Sequence, residues 1–283
     1  MQAHHFDVDT FTIEPNDRLC IDAKSFTASM YELLPWLKNH KPLSSSSAWG
    51  EAISLGDRKK FGLRPFPTAG KHFRHRFDFT GYDAQNTLDV YPGGRRACVY
   101  FDAEVNIPVI ADNGDVVMSY TPMEILSMRQ GWKRARGHVL VGGLGLGIIA
   151  RKALMKKTVK HVTVVEIDKA VIDLVGPSLK EDFGDRVTIL HSDVYRVLTG
   201  LTDTLLADAL GAITQRSGYL RRQAVKTVPP TLWDPATKYD SVLLDIWNGV
   251  SGKYDDGGIF EHLSATHKHV WGWGYKLYNN SRY

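Results

Sequence analysis

The spacing of apolar residues changes near His138, and the chain beyond that point follows an alternating pattern. Four short runs are mainly apolar, and stretches with helical spacing separate them. The runs cover residues 138–141, 162–167, 187–190 and 241–244. Fully apolar strands that alternate with helices are typical of a parallel sheet covered on both faces. The pattern therefore predicts an α/β fold with a doubly wound, mostly parallel sheet, which is shortened at its C-terminal end because little chain remains after residue 245.

A different pattern precedes this region. Residues 71–79 alternate aromatic and basic side chains, which predicts a strand. The apolar segments 106–110 and 115–119 flank an Asn-Gly dipeptide, which tolerates the positive φ values of a tight turn, so they predict a hairpin. A helix is then predicted to begin at Thr121, with Pro122 in its first turn and Glu124 three residues after the cap.

Composition and charge narrow the class of protein. The chain is 43% hydrophobic and 23% charged, which excludes a disordered or fibrous protein. No apolar run approaches the roughly 20 residues that cross a bilayer. Two cysteines and an N-terminus without a basic-then-apolar signal pattern predict a cytoplasmic protein. The net charge of +4 permits an acidic partner without requiring one.

A glycine-rich turn follows the first apolar strand. Gly143, Gly145 and Gly147 occupy alternate positions, where they let the backbone turn sharply and pass close to a ligand. The amides at the start of the next helix favour a carboxylate or phosphate. The dinucleotide fingerprint needs a third small residue where this chain has Ile148. The three glycines instead form G-x-G-x-G, the form of S-adenosylmethionine sites. The spacing thus favours an S-adenosylmethionine site in a Rossmann-like domain over a nicotinamide dinucleotide site, and Asp193 tips the choice, because nicotinamide proteins do not generally require an acid at that position.

Acidic residues follow the next two strands. Glu166 lies about twenty residues beyond the glycines, where a carboxylate can accept hydrogen bonds from both ribose hydroxyls. Asp193 is placed to accept a hydrogen bond from an adenine amino group. The alternative is that Glu166, Asp168 and Asp193 cap helices, as acids often do. Because all three acids follow strands that end at the same edge of the predicted sheet as the glycine turn, the cofactor site is favoured.

These features predict two domains. Residues 1–104 are predicted to form an N-terminal α+β region, and residues 105–283 a Rossmann-like cofactor-binding domain that begins with the hairpin. The stretch 196–238 is long for one connection between strands. It is predicted to be an insertion that covers the pocket or forms a subunit contact.

From about Asn106 to Gly249 the chain resembles the class I S-adenosylmethionine-dependent methyltransferases, and within them the spermidine synthase-like branch. The resemblance includes the hairpin and helix before the glycine turn, the Val-Glu-Ile-Asp segment that ends at Asp168, and the segment 239–245. It implies S-adenosyl-L-methionine as the cofactor, with decarboxylated S-adenosylmethionine as the alternative. The implied cofactor contacts are Gly143, Gly145, Gly147, Glu166 and Asp193.

The residues from Asp245 onward bear on the choice between methyl transfer and aminopropyl transfer. In both branches of the family a polar group at this position faces the nucleophile. Spermidine synthases read Asp-Ser-Thr-Asp-Pro from here, whereas this chain keeps the first acid and has Trp247 and Asn248 after it. The glycine turn of those enzymes also carries an acid where this chain has Leu146. Both differences remove negative charge from the place of a polyamine.

The resulting hypothesis is an S-adenosylmethionine-dependent methyltransferase that acts on a nitrogen or oxygen nucleophile. Asp245 is expected to accept a proton or hydrogen bond from the nucleophile, and Asn248 to position it. Trp247 either lines the substrate pocket or packs in the core. Two alternatives remain: an aminopropyltransferase that uses the decarboxylated cofactor, and a non-catalytic protein that keeps the nucleotide fold for binding. The intact glycines and acids argue against the last.

Partners are less constrained by the sequence. A small-molecule substrate of unknown identity is favoured, no membrane contact is predicted, and a homo-oligomer is allowed. The basic stretches carry no nucleic-acid-binding signature, so a nucleic-acid partner is left open without being indicated. His262, His267 and His269 match no zinc-ligand spacing, and no metal site is predicted.

Overall fold

A computed structural model describes residues 2–13, 17–39, 53–55, 59–66, 75–78, 96–112, 115–199, 239–246, 263 and 267–273. The strands among them are β1 (Arg18–Ile21), β2 (Ile53–Ser54), β3 (Lys59–Phe66), β4 (His75–Asp78), β5 (Arg96–Phe101), β6 (Val105–Asp112), β7 (Asp115–Ser119), β8 (Gly137–Gly142), β9 (Val159–Glu166), β10 (Val187–His191), β11 (Ser241–Leu244) and β12 (His269–Gly272). The α-helices are α1 (Ala23–Leu33), α2 (Pro122–Arg134), α3 (Ile148–Leu154), α4 (Lys169–Phe183) and α5 (Val194–Thr199). Short 3₁₀ helices cover Pro35–Asn39 and Gly184–Arg186.

A five-stranded sheet with the order β10-β9-β8-β11-β12 forms the centre of the second half of the chain. Its strands pair in parallel. Along the chain, α2 precedes β8, α3 connects β8 to β9, α4 connects β9 to β10, and α5 follows β10. The side chains of β11 are all buried, as expected for a strand covered on both faces. The predicted Rossmann-like α/β fold with a mostly parallel sheet is confirmed.

The edge strand β12 has no counterpart among the apolar runs of the sequence. It pairs with β11, and the ring of Trp271 packs so closely on α2 that a Cβ on Gly131 would come within 2.7 Å of it. Only two of its four residues are buried. A half-buried strand with a histidine and a tryptophan does not give the continuous apolar pattern of its neighbours.

The first part of the chain contributes two further sheets. The predicted hairpin is present as β6 and β7, and it joins β3 and β2 in an antiparallel sheet with the order β2-β3-β6-β7. The other sheet has the order β1-β5-β4, and β4 lies within the strand predicted over residues 71–79. The pairing of β3 with β6 joins strands from both sides of residue 104, and the domain boundary predicted there stays a prediction.

The N-terminal segment is attached to the helices around the central sheet. Lys152 on α3 is buried, and its Nζ lies 2.6 Å from a carboxylate oxygen of Asp9. Trp132 Nε1 donates to the other oxygen at 3.2 Å, and Arg129 Nε donates to the Val8 carbonyl at 2.9 Å. These contacts tie the N-terminal segment to α2 and to α3, the helix that begins directly after the glycine turn. In the described part of the chain, no helix is both long enough and apolar enough to cross a membrane.

Candidate cofactor-binding and catalytic site

The glycine turn lies between the carboxyl ends of β9 and β11. Gly143 N donates to the Val165 carbonyl at 2.8 Å, which ties the turn to β9. Gly143 has φ +85°, and a Cβ there would lie 2.1 Å from the carbonyl oxygen of Asp245. A main-chain oxygen cannot rotate away as a side chain can. Only glycine therefore allows the turn to approach the end of β11 this closely.

The hairpin covers the middle of the same turn. Gly145 has φ +48°, and a Cβ there would come within 2.5 Å of the terminal methyl of Met118 on β7. Gly147 is left-handed at φ +86° and directly precedes α3. The side chain of Leu146 is fully buried, and its carbonyl lies 3.4 Å from Trp36 Nε1. Leu146, where the resemblance implies an acid, is thus a core residue in this chain.

Glu166 ends β9, and its carboxylate is held by two backbone amides. Oε2 accepts a hydrogen bond from Leu144 N at 2.7 Å, and Oε1 accepts one from Asp168 N at 2.8 Å. The residue is only 7% exposed. Each carboxylate oxygen has a further lone pair, so the group can still accept hydrogen bonds from two hydroxyls. Glu166 is therefore oriented by the glycine turn and is not a helix cap.

Asp168 does have the capping role that the sequence left open. Its Oδ1 accepts a hydrogen bond from Ala170 N at 2.9 Å at the start of α4. Its Oδ2 lies 3.0 Å from Nζ of Lys59, which extends from β3. Burial acts to raise the pKa of Asp168, but the hydrogen bond and charge of Lys59, together with backbone hydrogen bonds from the start of α4, hold the pKa below its ordinary value. The N-terminal part of the chain thus reaches the edge of the site.

An apolar side chain lies beside Glu166. Ile167 is 65% exposed, which is unusual for a large aliphatic residue, and its carbonyl oxygen lies 3.1 Å from Nε2 of His191. Asp193 follows β10 and directly precedes α5, one strand further along the sheet. Its predicted contact with adenine stays a prediction. Ile167 was not singled out from the sequence, where it reads as one more apolar residue of the strand.

Asp245 directly follows β11, and its backbone N donates to the Gly142 carbonyl at 2.8 Å. This bond fixes the residue beside the glycine turn. Burial, and after it the negative charge of Glu166, raises the pKa of Asp245 to about 7. The residue as a whole is half-buried. Asp245 is thus a carboxyl group at the end of β11 that changes charge near neutral pH.

Glu124 is a third carboxyl group in this region. The Thr121 hydroxyl caps α2 by accepting from Glu124 N at 3.2 Å, as predicted. The Glu124 carboxylate does not return to Thr121, because Oε2 accepts hydrogen bonds from the backbone N (2.7 Å) and the hydroxyl of Ser119. Burial raises the pKa of Glu124 to about 8, with a further contribution from the charge of Asp245, although the Ser119 hydrogen bonds oppose the shift.

The carboxyl ends of neighbouring strands therefore bring most of the predicted site residues together. The described residues of this group are Gly143, Gly145, Gly147, Glu166, Asp193 and Asp245. Trp247 and Asn248 lie outside the described residues, as do residues 200–238 of the predicted insertion. Glu124 joins the group although its sequence context indicated only a helix start.

Comparison with known proteins finds similarity among solved structures. No protein-family model matches the chain, and neither does any curated protein. A spermidine synthase from Thermotoga maritima is similar over 57% of this chain and 59% of its own, with 14% identity and a TM-score of 0.33. A spermidine synthase in complex with the transition-state analogue AdoDATO is similar over 56% of this chain and 46% of its own, with 16% identity and a TM-score of 0.29. The chain spans about half the length of these structures, which belong to the branch that the sequence resembles.

Proposed function

We propose that the chain is a transferase that moves a methyl group from S-adenosylmethionine to the nitrogen of an amine. The observation that carries the proposal is the convergence of the glycine turn, Glu166 and Asp245 at the carboxyl ends of the adjacent strands β8, β9 and β11. Open α/β sheets bind their ligands at this edge.

The residues present fit an adenosyl cofactor. Gly143 and Gly145 have no side chain and are half-buried, so the backbone of the turn remains accessible to a ligand. Glu166 is oriented to accept hydrogen bonds from ribose hydroxyls, the exposed Ile167 offers an apolar contact to an adenine ring, and Asp193 is the candidate acceptor for the adenine amino group. When bound, the cofactor supplies an electrophilic carbon next to a sulfonium.

The three carboxyl groups suit an amine better than a neutral alcohol. Among the described residues, no Lys or Arg forms a salt bridge with Glu124, Glu166 or Asp245. An alkyl ammonium can therefore supply the missing positive charge. It must lose a proton to become a nucleophile, and a base with a pKa near the working pH accepts that proton most effectively. Asp245, with its pKa of about 7, is the residue for this step.

Aminopropyl transfer from decarboxylated S-adenosylmethionine is the second candidate. The buried Leu146 removes an acid from the glycine turn, but Glu124 supplies one from α2, within electrostatic reach of Asp245. A site with three carboxyl groups, none of which forms a salt bridge with a described cation, is unfavourable for the carboxylate of S-adenosylmethionine. This charge argument favours the decarboxylated cofactor, whereas Leu146 favours methyl transfer.

Mass spectrometry of reaction products distinguishes the two candidates. The full chain is incubated with a panel of mono- and diamines and with either cofactor. Methyl transfer yields a methylated amine and adenosylhomocysteine, and aminopropyl transfer yields an extended polyamine and methylthioadenosine. If neither cofactor binds, the chain is not an adenosyl-dependent transferase. If a cofactor binds but no amine in the panel is alkylated, the amine specificity is wrong.

The role of Asp245 has its own test. Asp245→Asn keeps the shape of the side chain but removes the base, so turnover is expected to fall by about 100-fold or more with little change in cofactor affinity. The matched control is Asp173→Asn, the same change at an exposed acid on α4, which is expected to leave turnover unchanged. Full activity of Asp245→Asn would refute the role as a base.

A further inference from the structure

A second chemically distinct region lies at the opposite edge of the five-stranded sheet. Because all five strands are parallel, their amino-terminal ends lie together, and α2 and α3 end at the same edge. The strand β8 spans six residues, so this edge is roughly 20 Å from the glycine turn. A ligand at this edge would not contact Asp245 or Glu166.

The chain segments at this edge are strongly basic. They comprise residues 133–138, 155–161, 239–241 and 267–269, which we call the basic edge. They contain seven Lys or Arg side chains and one carboxylate, that of Asp240. This excess of positive charge exceeds the net charge of +4 of the entire chain. The fold collects basic residues that are far apart in the sequence.

Part of this charge has a structural role. Lys156 Nζ donates to the carbonyls of Trp132 and Lys133 at 2.9 and 2.8 Å, and so provides hydrogen-bond partners for carbonyl groups at the C-terminal end of α2. Arg134 donates to the Val270 carbonyl at 3.1 Å and ties α2 to β12. The Asp240 carboxylate accepts a hydrogen bond from the backbone N of His138 at 2.8 Å. These contacts hold the edge together but do not neutralise it.

The remaining cations of the basic edge are exposed. None of them forms a salt bridge with another described residue. They are Lys133, Arg136, Lys157, Lys160 and Lys268. The preference of cations for helix C-termini explains Lys133, which lies in the last turn of α2, but not the cations that precede or begin β8, β9 and β12.

The pKa shifts of two neighbouring groups reflect how closely the charges lie. Burial lowers the pKa of His269, and the charges of Arg136, Lys268 and Arg134 lower it further, with only Asp240 acting in the other direction. Burial, followed by the charge of Arg136, also lowers the pKa of Lys156. The cations therefore repel one another across the edge, and a bound polyanion would relieve this repulsion.

We propose that the basic edge binds the phosphate backbone of a single-stranded nucleic acid. The cations extend across β9, β8, β11 and β12, a width of roughly 15 Å, which forms a narrow basic track. The rings of His138 and His161 lie 6.2 Å apart at the same edge and provide flat surfaces on which bases can stack. Charge complementarity and stacking are the two interactions that single-strand-binding surfaces combine.

An anionic membrane is the less suitable partner. Surfaces that bind membranes combine basic residues with an apolar face that enters the headgroup region. Within the described residues of the basic edge, Met155 is the single large apolar side chain that is strongly exposed, at 46%. One methionine among lysines does not form such a face.

A charge-reversal variant tests the proposal with a fluorescein-labelled oligouridylate of about 20 nucleotides. The edge variant carries Lys157→Glu, Lys160→Glu and Lys268→Glu. The matched control carries the same charge change at exposed lysines elsewhere, Lys24→Glu, Lys38→Glu and Lys169→Glu. At about 50 mM salt the edge variant is expected to bind at least tenfold more weakly than the unaltered chain. The slope of the logarithm of the binding constant against the logarithm of the salt concentration is expected to be smaller in magnitude by about 2. The control is expected to retain most of the affinity.

Three results would overturn the proposal. They are no binding of the oligonucleotide by the unaltered chain, equal loss in the edge variant and the control, and binding only to duplex nucleic acid or to phosphatidylserine vesicles. Thermal unfolding of both variants shows that they remain folded. The test uses neither an adenosyl cofactor nor an amine, so its outcome is independent of the proposed transferase activity.

Discussion

Replacement of Gly143 by alanine tests the close approach between the glycine turn and Asp245. Two effects add in Gly143→Ala. The positive φ of +85° strains an alanine by about 1–3 kcal/mol, and overpacking against a neighbour that cannot move costs about 1–3 kcal/mol more. The neighbour is the Asp245 carbonyl oxygen, 2.1 Å from the new Cβ, so the end of β11 must shift. We expect the free energy of unfolding to fall by about 2–6 kcal/mol.

Two other glycines separate these effects. Gly184 has φ +54°, and a Cβ added there would meet no atom within 4 Å, so Gly184→Ala reports backbone strain alone, about 1–3 kcal/mol. Gly145→Ala adds a contact with the flexible end of Met118, which can move, so its cost is expected to stay near that of a left-handed residue, about 1–2 kcal/mol.

Urea unfolding measures the stability of the three variants, and turnover is measured in parallel. Gly143→Ala is expected to be the least stable, and it should lose turnover even well below its unfolding transition because Asp245 is displaced. Gly184→Ala should keep full turnover while folded. If Gly143→Ala were no less stable than Gly184→Ala, the close approach of the turn to β11 would be wrong.

The central sheet and the glycine turn could be predicted because each is encoded locally. The strand β11 is buried in every residue and is apolar in three of its four residues, and the turn needs glycine wherever φ is positive. The edge strand β12 could not be predicted in this way, because only two of its four residues are buried and the strand carries no periodic signal.

The chemistry of the site depends on contacts that no local pattern contains. Glu124 reads as the partner of a helix cap, and only the packing of α2 brings its carboxyl group within electrostatic reach of Asp245. Likewise Lys59 is one of many surface lysines in the sequence, yet strand pairing places it 3.0 Å from Asp168. The basic edge has the same origin, since the parallel sheet gathers strand starts that the sequence separates.

Two further predictions follow from buried charges. Asp9→Asn should destabilise the chain more than Lys152→Met, because it leaves the buried ammonium of Lys152 without its partner. Loss of Lys152 leaves only a half-exposed carboxylate. Urea unfolding of both single variants and of the double variant measures the difference in the free energy of unfolding. The pKa values of about 7 for Asp245 and about 8 for Glu124 exceed those of an unfolded chain, so the folded state keeps protons that the unfolded state has released. The free energy of unfolding should therefore fall as pH rises from about 5 to about 8. Glu124→Gln should flatten the upper part of this fall, and an unchanged pH profile in that variant would show that Glu124 does not titrate near neutral pH.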